Sequence, residues 1–502
     1  MSTAAEGLLR QAAALHRQGR RAEGLAQFQR VLAEHPHLSE GWYELGYLLK
    51  ADGRHEDALA AFAEALARGV DRAEEVHLNR AVIYSDMLRR DDDAERELLA
   101  AIALAPGYVP ALLNLGNLHE ERGRREDAMA CYRKVLAGEG NDPRHADLRH
   151  EALARLAILS PPERLDDPML ARLDHAATEA ARGNPHVRAN LLFSLGRSYE
   201  RLGDFDRAFE GFSRANRSLL RQSGRSYDRT QAEQQVDSLM RAFTAEHQGG
   251  RTDPGDAGAE PLFVCGMFRS GSTLIEQVLG AHPQVTAGGE LDYLLRLALG
   301  PLAPFPASMA RVDTARDAEL AAGYRAHLAK LFPEGMHGRY ITDKRPDNFS
   351  LIGLVKRMFP RAKVIHTVRH PLDTGLSVFT QHLNLRIAGY SADLGDIGHH
   401  FGQYRRLMAH WRALYPDDIL DFDYDVFVRD PRPALERLLQ FLGLPWDDAC
   451  LQFHTRESTV KTASYWQVRQ PLNARSSGRW RQYGAHLDPL RAALLNAGVA
   501  ID

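Results

Sequence analysis

PLFVCGMFRSGSTLIEQVLGAH, residues 261–282, is the stretch on which the reading of the fold turns. Residues 261–267 are a short, unpunctuated apolar run, the texture of a parallel strand buried on both faces. Gly266-Met-Phe-Arg-Ser-Gly271-Ser272-Thr273 follows, and STLIEQVLGAH then has the spacing of an apolar-faced helix. This strand–loop–helix has the frame of a phosphate loop, G-x-x-x-x-G-K-[ST], with Ser272 in the place of the lysine. Successive backbone N–H groups and a helix N-terminus still form an anion nest there. The missing lysine is the one that reaches the outer phosphates of a nucleoside triphosphate, which argues against an ATPase or GTPase. Arg269, inside the loop, supplies a cation suited to bidentate contact with oxygens.

About a hundred residues on, a second apolar run, AKVIHTV (362–368), leads into VRHPLDTGLSVF. Arg369 falls just past the predicted strand, and Ser377 lies eight residues later on the following helix, with Pro371 at its first turn. An arginine and a serine emerging beside a strand's C-terminal end can hold a second phosphate in the crevice of a doubly wound sheet. Strand–helix alternation over 261–502 predicts a phosphate-loop-like α/β domain with a parallel sheet.

The two motifs, in this order, resemble the sulfotransferase family that uses 3′-phosphoadenylyl sulfate (PAPS). The resemblance covers roughly residues 261–485. It is nearest to bacterial sulfotransferases with tetratricopeptide repeats and, more distantly, to tyrosylprotein sulfotransferases. It implies sulfuryl transfer to an acceptor hydroxyl without a metal, with PAP as product. By the same resemblance Arg269 holds the sulfonate, Ser270, Gly271, Ser272 and Thr273 hold the 5′-phosphate, and Arg369 and Ser377 hold the 3′-phosphate. Glu290, in TAGGELDYL, lies 17 residues after Thr273, as does the glutamate base of tyrosylprotein sulfotransferases. Lys344, in ITDKRPDNF, is similar to the lysine of the family's K-x-P segment, which neutralises the bridging oxygen. Tyr424, in DFDYDVFV, resembles the Tyr-acidic element that contacts the cofactor at a strand end. SYWQVRQPLNARSSGRW resembles the segment that closes over adenine and the 3′-phosphate, with Ser464, Gln467 and Arg479 as contacts. Two positions depart from the pattern: Phe268 stands where Pro is usual, and Gln381 stands where tyrosylprotein sulfotransferases carry an arginine.

Each residue also has a plainer reading. Glu290 begins an apolar run, a common place for a solvated or capping carboxylate, but Gly288 and Gly289 beside it leave room for an acceptor. His366 is a rival base, although its place in a buried strand favours a satisfied core histidine. Cys265 reads as strand filler. The chain holds only seven lysines against 56 arginines, so Lys344 inside a motif carries more information than any single arginine.

The first half of the chain is rich in Ala, Leu, Glu and Arg at helical spacing and repeats itself. Units starting at Ala5, Ser39, Glu75 and Val109 are separated by 34, 36 and 34 residues, and a further unit starts near Ala189. Gly46, Gly116 and Gly196 recur at the eighth position and Phe62, Tyr132 and Phe212 at the twenty-fourth, which resembles the tetratricopeptide pattern. Residues 143–188 read as helical but divergent. This predicts a helical solenoid over 1–244, a Gly-rich linker over 245–260 and the transferase domain over 261–502. A solenoid's concave face suits a protein or peptide acceptor, so protein tyrosine is the expected acceptor. Carbohydrate or small-molecule hydroxyls, an inactive transferase on a scaffold, and self-association of the array as a homodimer stay open beside it.

Composition narrows the field further. Lys+Arg 63 against Asp+Glu 66 gives a net charge of −3, which leaves no global basic field for nucleic acid. No window approaches a membrane span of ~20 apolar residues, and the N-terminus lacks a secretory apolar core. Three scattered cysteines form neither a disulfide framework nor a closed zinc site. The expected setting is a reducing cytoplasm, without membrane or nucleic-acid partners.

Overall fold

Gly46, Gly116 and Gly196 show how the repeats are built. A β-carbon on Gly46 would lie 2.6 Å from the Phe62 ring, on Gly116 2.5 Å from Tyr132, and on Gly196 2.7 Å from Phe212. The large residue of each second helix therefore fills the gap left in the first, and Phe62, Tyr132 and Phe212 are completely buried. Each repeat turns on a residue with positive φ fourteen places after its start: Gly19, Gly53, Gly123 and Gly203, with Arg89 taking that place in the unit from Glu75. That same unit contains a π-turn, Ile83–Met87, which accommodates extra residues within a helix.

The computed structural model describes residues 2–138, 143–224, 227–245, 258–455 and 471–501. The chain divides into two compact units, Met1–Glu120 with Arg124–Leu159, and Glu121–Gly123 with Ser160–Asp502. The first holds helix pairs such as Ser39–Ala51 with His55–Ala67 and Val109–Glu121 with Arg125–Ala137. The second combines the helices from Pro168 onward with a five-stranded sheet. By packing, the last repeat pair, Pro185–Arg201 and Phe205–Ser223, thus belongs with the sheet. Most of the expected 245–260 linker lies outside the described residues.

The strands are β1 (Glu260–Gly266), β2 (Val285–Thr286), β3 (Tyr340–Lys344), β4 (Val364–Val368) and β5 (Ile419–Asp423). All pairs are parallel, in the order β2-β3-β1-β4-β5. β1 is buried from Pro261 to Gly266, as a central parallel strand covered on both faces must be. On one face Leu262, Val264, Ile365 and Phe422 pack against Ile275, Val278, Leu438 and Leu439. On the other, Phe263 meets Tyr324 and Phe359. β1 has β3 on one side and β4 on the other, so the chain reverses its direction of travel across the sheet there, and the crevice opens at the C-terminal end of β1. Among the described residues no helix is long and apolar enough to cross a membrane.

The close glycine contacts make a test. Tyr132 cannot swing aside, because its hydroxyl is held between Glu120 Oε2 at 2.6 Å and Asn117 Oδ1 at 2.8 Å. Gly116→Ala should therefore cost about 1–3 kcal/mol through overpacking. Gly107→Ala, with open space around the site, should be neutral or slightly stabilising. Chemical denaturation of the two variants checks the contrast.

Candidate functional site

The phosphate loop leaves β1 through two left-handed residues. Arg269 has φ 72 and Gly271 φ 104, and Gly271 is the cap of the helix Ser272–Gly280. A β-carbon on Gly271 would lie 2.5 Å from the Tyr424 ring, so glycine there serves both backbone and packing. Ser272 and Thr273 open the helix, so their N–H groups have no carbonyl four residues back within it. Ser270 is different. Its N–H donates to Met267 O at 3.1 Å, and its hydroxyl donates to the same carbonyl at 2.7 Å and meets Thr367 Oγ1 at 2.7 Å. Both of its polar groups are thus engaged in shaping the loop.

Arg269 Nε donates to Ser377 Oγ at 3.1 Å, which ties the loop to the helix Pro371–Phe379. Arg369 follows β4 and donates to the carbonyls of Arg269 (3.2 Å) and Ser476. Its guanidinium lies 4.9 Å from the centre of the Tyr424 ring, at the end of β5. Arg369 Nε is buried without a hydrogen-bond partner among the described residues. Arg479 donates to Glu200 at 2.5 Å and Thr380 Oγ1 at 3.2 Å. Burial, then the charges of Arg197, Arg369 and Arg479, push the Arg269 guanidinium down to about 9. Ser464 and Gln467 lie outside the described residues.

The second part of the site stands at the end of β3. Lys344 is opposite Val264 in register, two residues before the loop begins. Its stem is fully buried, and Nζ donates to Glu290 Oε1 at 2.6 Å. The Glu290 side chain is 37% exposed, so the pair presents a fixed carboxylate to solvent. Below it, buried Glu276 accepts from Gly289 N (2.8 Å) and Thr342 Oγ1 (2.7 Å), and Thr342 Oγ1 accepts from Gly288 N (2.9 Å). Burial raises the Glu276 carboxyl, with the Lys344 charge opposing. His366 is fully buried away from this pair, bonded to Asp421 Oδ1 at 2.7 Å and to the Tyr404 hydroxyl.

Sequence reasoning brought Arg269, Ser377, Arg369, Tyr424 and Arg479 to one place and Lys344 to Glu290. It missed Glu276, Thr342, Asp373 and the contribution of the helical repeat. Asp373 holds the segment before Arg479 by accepting from Gly478 N (2.5 Å) and Trp480 N (2.9 Å). The available signal for Glu276 and Asp373 was a lone carboxylate inside an otherwise apolar helix. Among the described residues no group of three or more His, Cys, Asp or Glu is placed to hold a metal ion.

A lysine-less phosphate loop at the switch point of a parallel sheet, ringed by arginines, defines an anion-binding α/β domain. Comparison with known proteins makes the class particular. Residues 261–448 match the Sulfotransferase family, and residues 9–74 and 111–146 match tetratricopeptide repeats. The chain carries a sulfotransferase-family domain behind tetratricopeptide repeats. An uncharacterized protein of Aquifex aeolicus (strain VF5) is 35% identical over 426 residues, covering 82% of this chain and 52% of its own. Protein-tyrosine sulfotransferase 1 of Danio rerio is 28% identical over 243 residues, 44% of this chain and 65% of that protein. The chain thus spans about half to two thirds of these relatives' lengths. The solved sulfotransferase domain of the Synechococcus PCC 7002 olefin synthase aligns over 50% of this chain and 100% of its own, at 22% identity and a TM-score of 0.36. That score adds nothing to the fold described above.

The carboxyl next to Lys344 offers a pH test. Asp343 accepts from Tyr324 (2.8 Å) and Asn348 Nδ2 (3.0 Å) and braces the end of β3. Burial pushes its carboxyl up to about 7, against those bonds, which lower it. An unfolded aspartate titrates near ~4. The folded state therefore holds the proton more tightly, and the resulting stability is present below ~4 and lost as pH rises through about 7. Thermal melts across this window should show the wild type falling relative to Asp343→Asn as pH rises. Parallel profiles would show that Asp343 titrates as it does in the unfolded chain.

Proposed function

We propose that the chain is a sulfotransferase that takes its sulfuryl group from PAPS and passes it to an acceptor hydroxyl, with protein tyrosine as the acceptor. The observation that carries this reading is the pairing of a lysine-less phosphate loop and arginine cluster with a separate, exposed Glu290 held by buried Lys344. The residues present suit the donor's phosphates and sulfonate: Arg269 and Arg369, the first-turn N–H groups of Ser272 and Thr273, and the unpartnered Nε of Arg369. Bound there, the donor supplies the sulfuryl group. Tyr424 buttresses the loop at Gly271, and Arg479 is set from the far side by Glu200 and Thr380.

Glu290 acts as general base on the acceptor hydroxyl, since its carboxylate is both fixed and exposed. Lys344 keeps that carboxylate aimed, and its ammonium offsets charge on the leaving oxygen. Gly288 and Gly289, pinned by Thr342 and Glu276, hold the backbone that aims Glu290. Support for a protein acceptor comes from the repeats and from the likeness to a protein-tyrosine sulfotransferase.

Two experiments bear on this. Glu290→Gln should lower kcat by ~10²–10⁴-fold while leaving PAP affinity near wild type, because a general base acts on the acceptor and not on the nucleotide. Wild-type turnover in that variant, with chemistry rate-limiting, would place the base elsewhere. Deleting residues 2–159, a unit with its own core, should spare PAP binding and raise KM for a macromolecular acceptor. An unchanged KM would make those repeats a self-association device instead.

A further inference from the structure

One face of the repeat helix Pro185–Arg201 is turned to the transferase fold. His186, Asn190, Phe193, Arg197 and Glu200 recur at intervals of four and three residues, which places them in one stripe. His186 meets His382 at 3.2 Å, Asn190 bonds the same imidazole, and Phe193 stacks on it with centroids 5.7 Å apart. Arg197 Nη2 donates to Gln381 Oε1 at 2.5 Å. Glu200 Oε1 accepts from Arg479 at 2.5 Å and from the Tyr483 hydroxyl at 2.7 Å. The neighbouring helix adds Asn216, which donates to Phe379 O at 2.8 Å, and Phe209, stacked 5.4 Å from Phe379.

These contacts organise three guanidinium groups on one turn of chain. Arg269 bonds Ser377, Arg479 bonds Thr380, and Arg197 bonds Gln381. Ser377 lies in the last turn of the helix Pro371–Phe379, and Thr380 and Gln381 directly follow it, where the dipole's negative end favours cations. Arg197 therefore reaches the donor site held by a neutral amide, while Glu200, one turn along, pairs with Arg479. Three like charges gathered on one turn repel, and an anion among them removes that cost. A dianionic phosphate accepting from several guanidinium groups is the partner such a fork suits best.

We propose that Arg197, a residue of the helical repeat, is an anion-binding residue of the donor site and helps Ser377 and Arg479 hold the terminal 3′-phosphomonoester of the nucleotide. The inference rests on the PAPS reading above and extends it: the last repeat is a wall of the donor pocket. Burial lowers the Arg197 guanidinium, with the Glu200 charge opposing and the Arg479 charge adding to the fall.

Calorimetry on the full chain tests it with two probes, PAP and adenosine 5′-monophosphate, which lacks the 3′-phosphate. Arg197→Met keeps the apolar stem and removes the charge. It should weaken PAP about 10- to 100-fold, the loss of one charge-assisted hydrogen bond, and change the monophosphate less than about 2-fold. Equal weakening of both nucleotides, or of neither, overturns the role of Arg197. Should circular dichroism show that the Met variant has not folded, Arg197→Gln keeps a donor for the Gln381 bond without the charge and is read the same way. A wild-type chain that binds PAP no better than the monophosphate overturns the PAPS reading itself, a different result from either of the others.

Discussion

Arg269 lies half-buried in the loop after β1, within reach of the charges of three other arginines. Crowding of like charge out of water is the constraint around which the second unit is arranged. Burial and the neighbouring cations together lower the affinity of Arg269 for its own proton. The protein meets this cost by tethering each guanidinium to a neutral or backbone acceptor: Ser377, the carbonyls of Arg269 and Ser476, Thr380 and Gln381. Arg479 is set against a carboxylate, Glu200, whose charge also acts on Arg197. Neutral tethers fix position without cancelling charge, and so leave the site attractive to an anion.

The same constraint explains why the repeat helices pack where they do. The helix Pro185–Arg201 has one face committed to its own hairpin, where Gly196 admits the Phe212 ring. Its other face carries the polar stripe from His186 to Glu200. A helix with two occupied faces has little freedom to rotate, since turning it to relieve one contact breaks the other. The aromatic stack of Phe209 on Phe379 and His486 reinforces this arrangement with apolar contact.

Much of this architecture was legible in the chain. Strand, loop and helix around Gly266–Thr273 were readable because each carries a local signal: an apolar run, glycines where left-handed φ is needed, and helical spacing. The repeats were readable because Gly46, Gly116 and Gly196 recur with a bulky partner sixteen residues later. The division of the chain at Ser160 had no such signal, since helices on either side share one composition and long-range polar and aromatic contacts assign them. Arg197 was invisible for a similar reason, being one of 56 arginines and marked only by the company it keeps in space. Ser270 shows the opposite limit. Its place in the motif is plain, but the inward turn of its hydroxyl toward Met267 and Thr367 depends on a strand a hundred residues away.

The arginine tethers and the Lys344–Glu290 pair also divide the labour of the proposed reaction. The 3′-phosphate is the part of the donor that transfer leaves unaltered, so cations that grip it hold starting material and spent nucleotide alike. Uniform binding of that kind lowers KM without speeding the chemical step. Acceleration then falls to the pair at the end of β3, whose contacts are with groups that change charge. A pocket that holds its product as firmly as its substrate leaves spent nucleotide competing with fresh donor for the same cations.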